Sequence, residues 1–385
     1  MSPPRGPGRV VLAPDSFKGS VSAAEVAAAL ARGVRAELPD VEVVEHPIAD
    51  GGEGTVDAVV RAGLRRVEAT VSGPLGQPVQ GAYAVAGREA VVELAEAAGL
   101  GRLPPSGPSP VTARTATTRG VGELVLHAAE NGATTVTLGI GGSCTTDGGA
   151  GLVTALGARL LTADGRAAGP GGAGLLEAAR LDLSRLDPRL RGVRLVVACD
   201  VDNPLLGPDG AAAVYAPQKG AGPEDVALLE QGLRRWADVV ADATGTDLRD
   251  LPGAGAAGGV GFGLAALLGA RLQPGAPLLL EATAFHRHLG PDALIVVGEG
   301  SFDQQSLRGK GPVAAARLAK VASARVVAVA GRSTVAVEDA KAVGVDAVFT
   351  LVDLEPDPRR CVAEAARLLE ETGRRVGRWW AAQPP

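Results

Sequence analysis

Near the start of the chain, short apolar runs alternate with stretches in which apolar side chains return every four residues. Residues 10–13 read VVLA, a buried strand that stops at Pro14-Asp15-Ser16. Ser22-x-x-Glu25 has the form of a capping box. Val26, Leu30 and Val34 follow at helical spacing, so the pattern predicts a helix over 23–38, closed by Pro39. A second strand over 41–48 runs into the polar loop ADGGEG (49–54) and a helix reaching about residue 62. Strand, polar loop and helix in repetition is the rhythm of a parallel α/β sheet.

From about 68 to 118 the rhythm changes. Short alternating segments at 66–71, 79–85 and 90–94, separated by Gly/Pro turns, predict antiparallel or mixed strands and hence a second domain. A helix over 119–131 ends at Asn131-Gly132. A strand over 134–140 then leads into GIGGSCTTDGGAG (139–151). Residues 195–199 form another buried strand and 227–243 another helix, while 252–269 is rich in Gly and Ala. The simple pattern returns near 292. Strands are expected at 293–297, 326–330 and 347–351, with helices at 312–321, 335–343 and 358–382. The expected architecture is α/β in two domains: a doubly wound parallel sheet built from both chain ends, interrupted by an inserted mixed-sheet α/β domain. The boundaries read from the pattern are 1–67 with 285–385 for the first and 68–284 for the second, with 119–150 as an alternative member of the first.

Composition narrows the chemistry. The 385 residues are 46% hydrophobic and 21% charged, with a net charge of −5. That suits a globular protein and gives no basic footprint for nucleic acid. Aromatic residues are only 3%, leaving few platforms for stacked bases. No uninterrupted apolar run is long enough for a membrane span, and MSPPRGPGRVVLAPDS has no signal-peptide core. Cytoplasm is the expected compartment, and neither nucleic acid nor membrane is expected as a partner. Cys144, Cys199 and Cys361 fit no zinc spacing with His46, His127, His286 and His288. Carboxylates, hydroxyls, main-chain amides and a few lysines remain. Only five lysines stand against 33 arginines, and Lys18, Lys219 and Lys310 all fall in polar, glycine-containing loops.

In open parallel sheets, ligands bind where strands end and loops run into helices. The unusual stretches fall there: PDSFKGS (14–20), IADGGEGT (48–55), GIGGSCTTDGGAG (139–151), ACDVDNPLLGPDG (198–210), APQKGAG (216–222), GAGAAGGVGFG (253–263) and VGEGSFDQQSLRGKGP (297–312). Their chemistry suits phosphate with a divalent cation. Amides at a helix start bind anions, and Mg²⁺ takes one or two carboxylates plus substrate phosphates. Asp50, Asp147, Asp200 and Asp303 stand at strand ends; Lys18, Lys219 and Lys310 are suited to neutralising a transferring phosphoryl group. Tight turns are the plain structural alternative for any single glycine pair. No Walker A pattern is present, and GAGAAGG lacks the preceding strand of a dinucleotide fingerprint.

Taken as an ordered set, VLAPDSFKGSVSAAEVAAAL, IADGGEGTVDAV, GIGGSCTTDGGAG, ACDVDNPLLGPDGA, APQKGA, GAGAAGG and GEGSFDQQSLRGK resemble the bacterial glycerate kinase family, the type I enzymes. The resemblance runs from about residue 9 to 350. It implies ATP- and Mg²⁺-dependent phosphorylation of (R)-glycerate to a phosphoglycerate, with 2-phosphoglycerate favoured over 3-phosphoglycerate. It also implies a Rossmann-like domain from both chain ends and an active site in the cleft between two α/β domains. Cys144 with Thr145-Thr146, Ser301-Phe302 and Gly311 depart from the family's usual residues.

With no suitable histidine, an aspartate must accept the proton of the attacking hydroxyl. Asp200 and then Asp147 are the candidates. Asp50, Glu299 and Asp303 are the expected metal or water ligands. Lys18 and Lys310 are expected to stabilise phosphoryl charge or hold the substrate carboxylate. Arg119, after the hydroxyl run 115–118, is suited to bidentate contact with a carboxylate or phosphate. Gly141, Gly142, Ser143, Gly148 and Gly149 are expected to cradle a phosphate, and Asp15, Ser16, Gly51, Gly52, Asn203, Lys219 and Ser306 to complete the binding set. The rival readings are a kinase for another small hydroxy acid, a two-domain solute-binding protein and a nicotinamide-dependent oxidoreductase. The last two lack an export signal and a fingerprint after the first strand, respectively. Assembly into a homo-oligomer stays open.

Overall fold

The computed structural model describes residues 8–17, 19–304, 306–308 and 311–383. The strands in chain order are β1 (Arg9–Pro14), β2 (Glu42–Glu45), β3 (Arg65–Ser72), β4 (Pro78–Ala86), β5 (Glu89–Glu93) and β6 (Thr135–Gly139). They continue as β7 (Arg159–Leu161), β8 (Arg180–Asp182), β9 (Arg194–Ala198), β10 (Arg271–Gln273), β11 (Ala293–Phe302), β12 (Arg325–Ser333) and β13 (Ala347–Thr350). The chain forms two compact units. One comprises Met1–Asp50, Asp57–Leu64 and Ala276–Pro385, the other Gly51–Val56 and Arg65–Gly275.

The first unit is a five-stranded parallel sheet of order β13-β12-β11-β1-β2. Its central strands are near-continuous apolar runs because both faces are covered. Along β1, Val11 and Ala13 join Ile295, Val297 and Val313 on one side. Val10 and Leu12 join Leu30, Leu294 and Leu369 on the other, as the two-residue strand period requires. Each fully buried leucine contributes about 1.5–3 kcal/mol of transfer free energy. Ser22 and Glu25 close the expected capping box on helix Ala23–Glu37. The strand expected over 41–48 is shorter, but His46 and Ile48 still donate their amides to Leu12 and Pro14 carbonyls.

The second unit is a mixed six-stranded sheet of order β10-β9-β6-β5-β4-β3. Only the β3–β4 and β4–β5 pairs in it are antiparallel. Residues 119–150, the alternative member of the first domain, contribute β6 to this sheet, where it pairs with β5 and β9. The chain leaves the first unit at 64–65 rather than 67–68, because the antiparallel β3 already begins at Arg65. It returns at 275–276 rather than 284–285, because Ala276 and Leu280 of helix Gly275–Ala282 pack into the first unit's core. Helix Pro223–Thr244 buries Leu229, Leu233, Trp236 and Val240 against the second core. The Gly/Ala-rich stretch is a helix, Ala256–Leu268, whose residues Ala257, Gly258 and Gly259 have left-handed dihedrals.

Candidate active site

In the first unit, β1 ends at Pro14 opposite Gly298, and β11 runs on to Phe302. The Asp15 amide donates to the Gly298 carbonyl at 2.8 Å, and its carboxylate Oδ1 accepts the Ser16 amide at 2.6 Å. Gly311 opens helix Gly311–Val321, and a methyl group there would stand 4.0 Å from Asp15 Oδ2. An acid thus sits at the amino end of an eleven-residue helix, where the helix dipole favours negative charge. Glu299 lies near the end of β11, half-buried, and Asp303 follows the strand. Ser306 is fully buried. Its hydroxyl donates to the Ser301 carbonyl at 3.3 Å and accepts the Asp303 amide at 3.1 Å. It shapes this loop and is shielded from a ligand, contrary to the binding role expected of it. Asp50, half-buried, is the last residue before the chain enters the second unit. Among the described residues no three His, Cys, Asp or Glu side chains form a ready metal cluster. Lys18 and Lys310 lie outside the described residues.

In the second unit, loop 139–151 is tied on every side. Gly141 donates its amide to the Gly51 carbonyl at 2.9 Å, and Gly148 donates to Gly258 at 3.0 Å. The Gly149 amide donates to Asp147 Oδ1 at 3.2 Å, while Trp236 Nε1 donates to the Gly148 carbonyl at 2.9 Å. The amides of Gly141, Gly148 and Gly149 are therefore spent inside the fold and do not offer the phosphate cradle expected of them. The close approach demands glycine: a methyl on Gly258, whose φ is +72°, would lie 2.1 Å from the Thr145 carbonyl oxygen. A methyl on Gly51 (φ +95°) would lie 2.8 Å from Ala198 Cβ, so Gly51 rests directly on the end of β9. Gly52 is half-buried, and its carbonyl accepts the Thr55 hydroxyl at 2.7 Å. Gly142 is exposed. Ser143 is buried and its Oγ accepts the Thr145 amide at 3.1 Å.

Asp147 is 1% exposed. Its carboxylate accepts the Thr118 amide at 2.8 Å, the Thr118 hydroxyl at 2.9 Å and the Gly151 amide at 3.2 Å, besides Gly149 and the Thr117 hydroxyl. It thereby ties the start of helix Arg119–Glu130 to that of helix Ala150–Ala155. Burial raises its pKa, and the hydrogen bonds oppose the rise. This geometry makes a brace, not a base reached by substrate. Lys219 is 2% exposed and donates Nζ to the Thr145 carbonyl at 2.5 Å. Burial pushes its pKa down to about 8, against the pull of Cys144 and Asp147. It too supports the loop from behind. The Cys144 thiol is pushed up to about 12 by burial, so it is an inert packing group.

Asp200 differs in kind. It is exposed just beyond β9, with Oδ1 held by the Gly275 amide at 3.0 Å. Asn203 is engaged in the fold: Oδ1 accepts the Tyr215 hydroxyl at 2.5 Å and Nδ2 donates to the Asp209 carbonyl at 2.8 Å. Arg119 pairs through Nε with Glu123 at 3.0 Å and lines a cavity that none of Gly141, Gly142, Ser143, Asp200 or Asn203 touches. Sequence reasoning missed Glu93. It is 2% exposed at the end of β5, and it accepts the Gly54 and Val56 amides, each at 2.9 Å. Its signal was a glutamate closing the apolar run AVVEL, a position where a buried charge must have partners.

Comparison with known proteins agrees with this arrangement. The model of the glycerate kinase family matches residues 10–381. The glycerate kinase of Bacillus subtilis (strain 168) is 43% identical over 371 residues, 96% of each chain. The glycerate 2-kinase of Escherichia coli (strain K12) is 44% identical over 348 residues, 89% of this chain and 90% of that one. The crystal structure of a Salmonella typhimurium LT2 protein assigned as glycerate kinase 2 is 42% identical. It superposes with a TM-score of 0.82 and covers 97% of this chain and 98% of its own.

Proposed function

The chain belongs to the glycerate kinase family, and from that premise we propose that it transfers the γ-phosphoryl group of ATP to the 2-hydroxyl of (R)-glycerate. It is a phosphotransferase with an alcohol group as acceptor. The observation that carries the reading is its near-full-length likeness to glycerate kinases, one of them a glycerate 2-kinase. Among the described residues no helix is long and apolar enough to cross a membrane.

Phosphoryl transfer is mainly positioning and charge stabilisation. Asp200 serves as the group that orients the attacking hydroxyl and takes its proton. Its exposure and its anchored Oδ1 support that role. Asp147, Lys219 and Glu93 hold the loops in place without touching substrate, as their burial and internal hydrogen bonds favour. Lys18 and Lys310 neutralise the phosphoryl group or the substrate carboxylate.

Magnesium fits the donor set. Mg²⁺ needs only one or two protein carboxylates when phosphates and water fill its other positions. Glu299, inside β11, Asp303, just beyond it, and Asp50 are the hard oxygen donors from which its one or two carboxylates would come. When bound, the ion supplies positive charge to the nucleotide phosphates. The test is a coupled ADP-release assay of purified protein with ATP, MgCl₂ and, in turn, (R)-glycerate, (S)-glycerate, lactate and glycolate. Release specific to (R)-glycerate and lost with EDTA is expected. Release with lactate at the same rate, or with no acceptor at all, would overturn the substrate assignment.

A further inference from the structure

The second unit carries a cavity of about 510 Å³ away from Asp200 and the Gly141–Ser143 loop. The volume falls in the usual range of small-molecule sites. Its wall contains no Asp or Glu, and its two charged side chains are Arg119 and Arg159. Each arginine has a carboxylate partner outside the wall, yet keeps N–H groups to give. Glu123 engages Nε of Arg119; Asp182 engages Nε and one terminal nitrogen of Arg159. The Thr154 hydroxyl donates to the Gly151 carbonyl, which leaves its oxygen able to accept, while the Thr117 hydroxyl donates to Asp147 and already accepts the Arg119 amide. Leu160 and Leu161 supply apolar wall.

We infer that this cavity is a second small-molecule site, for an organic anion with a carboxylate or phosphate end and an apolar carbon body. Each guanidinium is paired with a single carboxylate and keeps N–H donors beyond that pair, and its planar fork suits either oxyanion. The leucine wall takes the carbon body, which inorganic phosphate lacks. Thr117 links the cavity to the Asp147 brace, so occupancy bears on the loop that Asp147 holds.

The experiment uses the full chain saturated with glycerate and a non-hydrolysable ATP analogue. Phenyl phosphate and benzoate are titrated by calorimetry and ligand-observed NMR, with inorganic phosphate and benzyl alcohol as partial probes. One site per chain is expected for phenyl phosphate or benzoate, and whichever binds identifies the preferred oxyanion. Both partial probes should bind at least about tenfold more weakly, a difference of about 1.4 kcal/mol. Arg159→Gln should weaken binding by a similar factor and Ala167→Phe, at an exposed wall position, should block it. Neither variant should change kcat or KM for glycerate. No binding of either anion at millimolar concentration, equal binding of benzyl alcohol, or undiminished binding in both variants would overturn the site. If glycerate and the nucleotide analogue themselves fail to bind, the kinase reading fails, while the same titration of the unliganded chain still decides the cavity.

Discussion

Asp147 separates a structural brace from a catalytic base. Replacement by Ala removes the acceptor of three backbone amides, those of Thr118 and Gly149, both buried, and of half-buried Gly151. A buried donor left without a partner costs about 1–3 kcal/mol. Part of the loss is offset because a carboxylate is no longer held out of water, so the expected net loss is about 3–5 kcal/mol. That is among the largest effects of a single substitution. Asn is the gentler perturbation. With its oxygen at the Oδ2 position it still accepts from Thr118 and Gly151, and the Gly149 amide alone loses its acceptor. The expected loss is about 1–3 kcal/mol. Urea unfolding of wild type, Asp147→Asn and Asp147→Ala, followed by circular dichroism, measures the series; the Asn variant, which stays folded, is then assayed for ADP release. A graded stability loss with kcat within about tenfold of wild type in the Asn variant is expected, since a lost general base typically costs 10²–10⁴-fold. Unchanged unfolding midpoints together with a collapse of kcat in Asp147→Asn would refute the brace.

Asp200→Asn should do the reverse: stability within about 0.5 kcal/mol, as for an exposed site, with kcat down by about 10²–10⁴-fold and KM little changed. A kcat near wild type would remove Asp200 from the chemistry. His46 is buried against Phe285 and His288, and burial pushes its pKa from 6.5 to about 4. Between those values the unfolded chain binds one more proton than the folded one, so stability falls as pH drops through that window, by at most about 3 kcal/mol. Urea midpoints at pH 7 and 4.5 should therefore differ less in His46→Gln than in wild type, and equal differences would contradict the assignment. Gly258→Ala meets both a left-handed backbone and a 2.1 Å contact, so its thermal midpoint should fall by more than that of an ordinary surface Gly→Ala. An unchanged midpoint would show that Thr145 yields freely.

The layered architecture was legible because buried parallel strands leave unbroken apolar runs, and because local signals such as Ser22 with Glu25 act within one helical turn. The glycine loops were legible as a set at strand ends. Their individual roles were not, because each depends on a partner far along the chain. Gly148 meets Gly258, and Thr145 meets Lys219. The carboxylates of Asp147 and Asp200 look alike in sequence, each within a glycine- or proline-rich loop after a strand. Only the fold turns one inward onto Thr118 and leaves the other exposed. The chain path was misjudged at 275–284 because a short apolar helix reads the same whichever core it enters. Glu93 escaped notice because a single glutamate at the end of a strand gives no motif.

Phosphorus NMR of the product formed from (R)-glycerate, ATP and Mg²⁺ tests the central claim most directly. A single new resonance that coincides with added 2-phosphoglycerate, rising as ATP is converted to ADP, is the predicted result. ATP left intact, or a product that coincides with 3-phosphoglycerate, would contradict it.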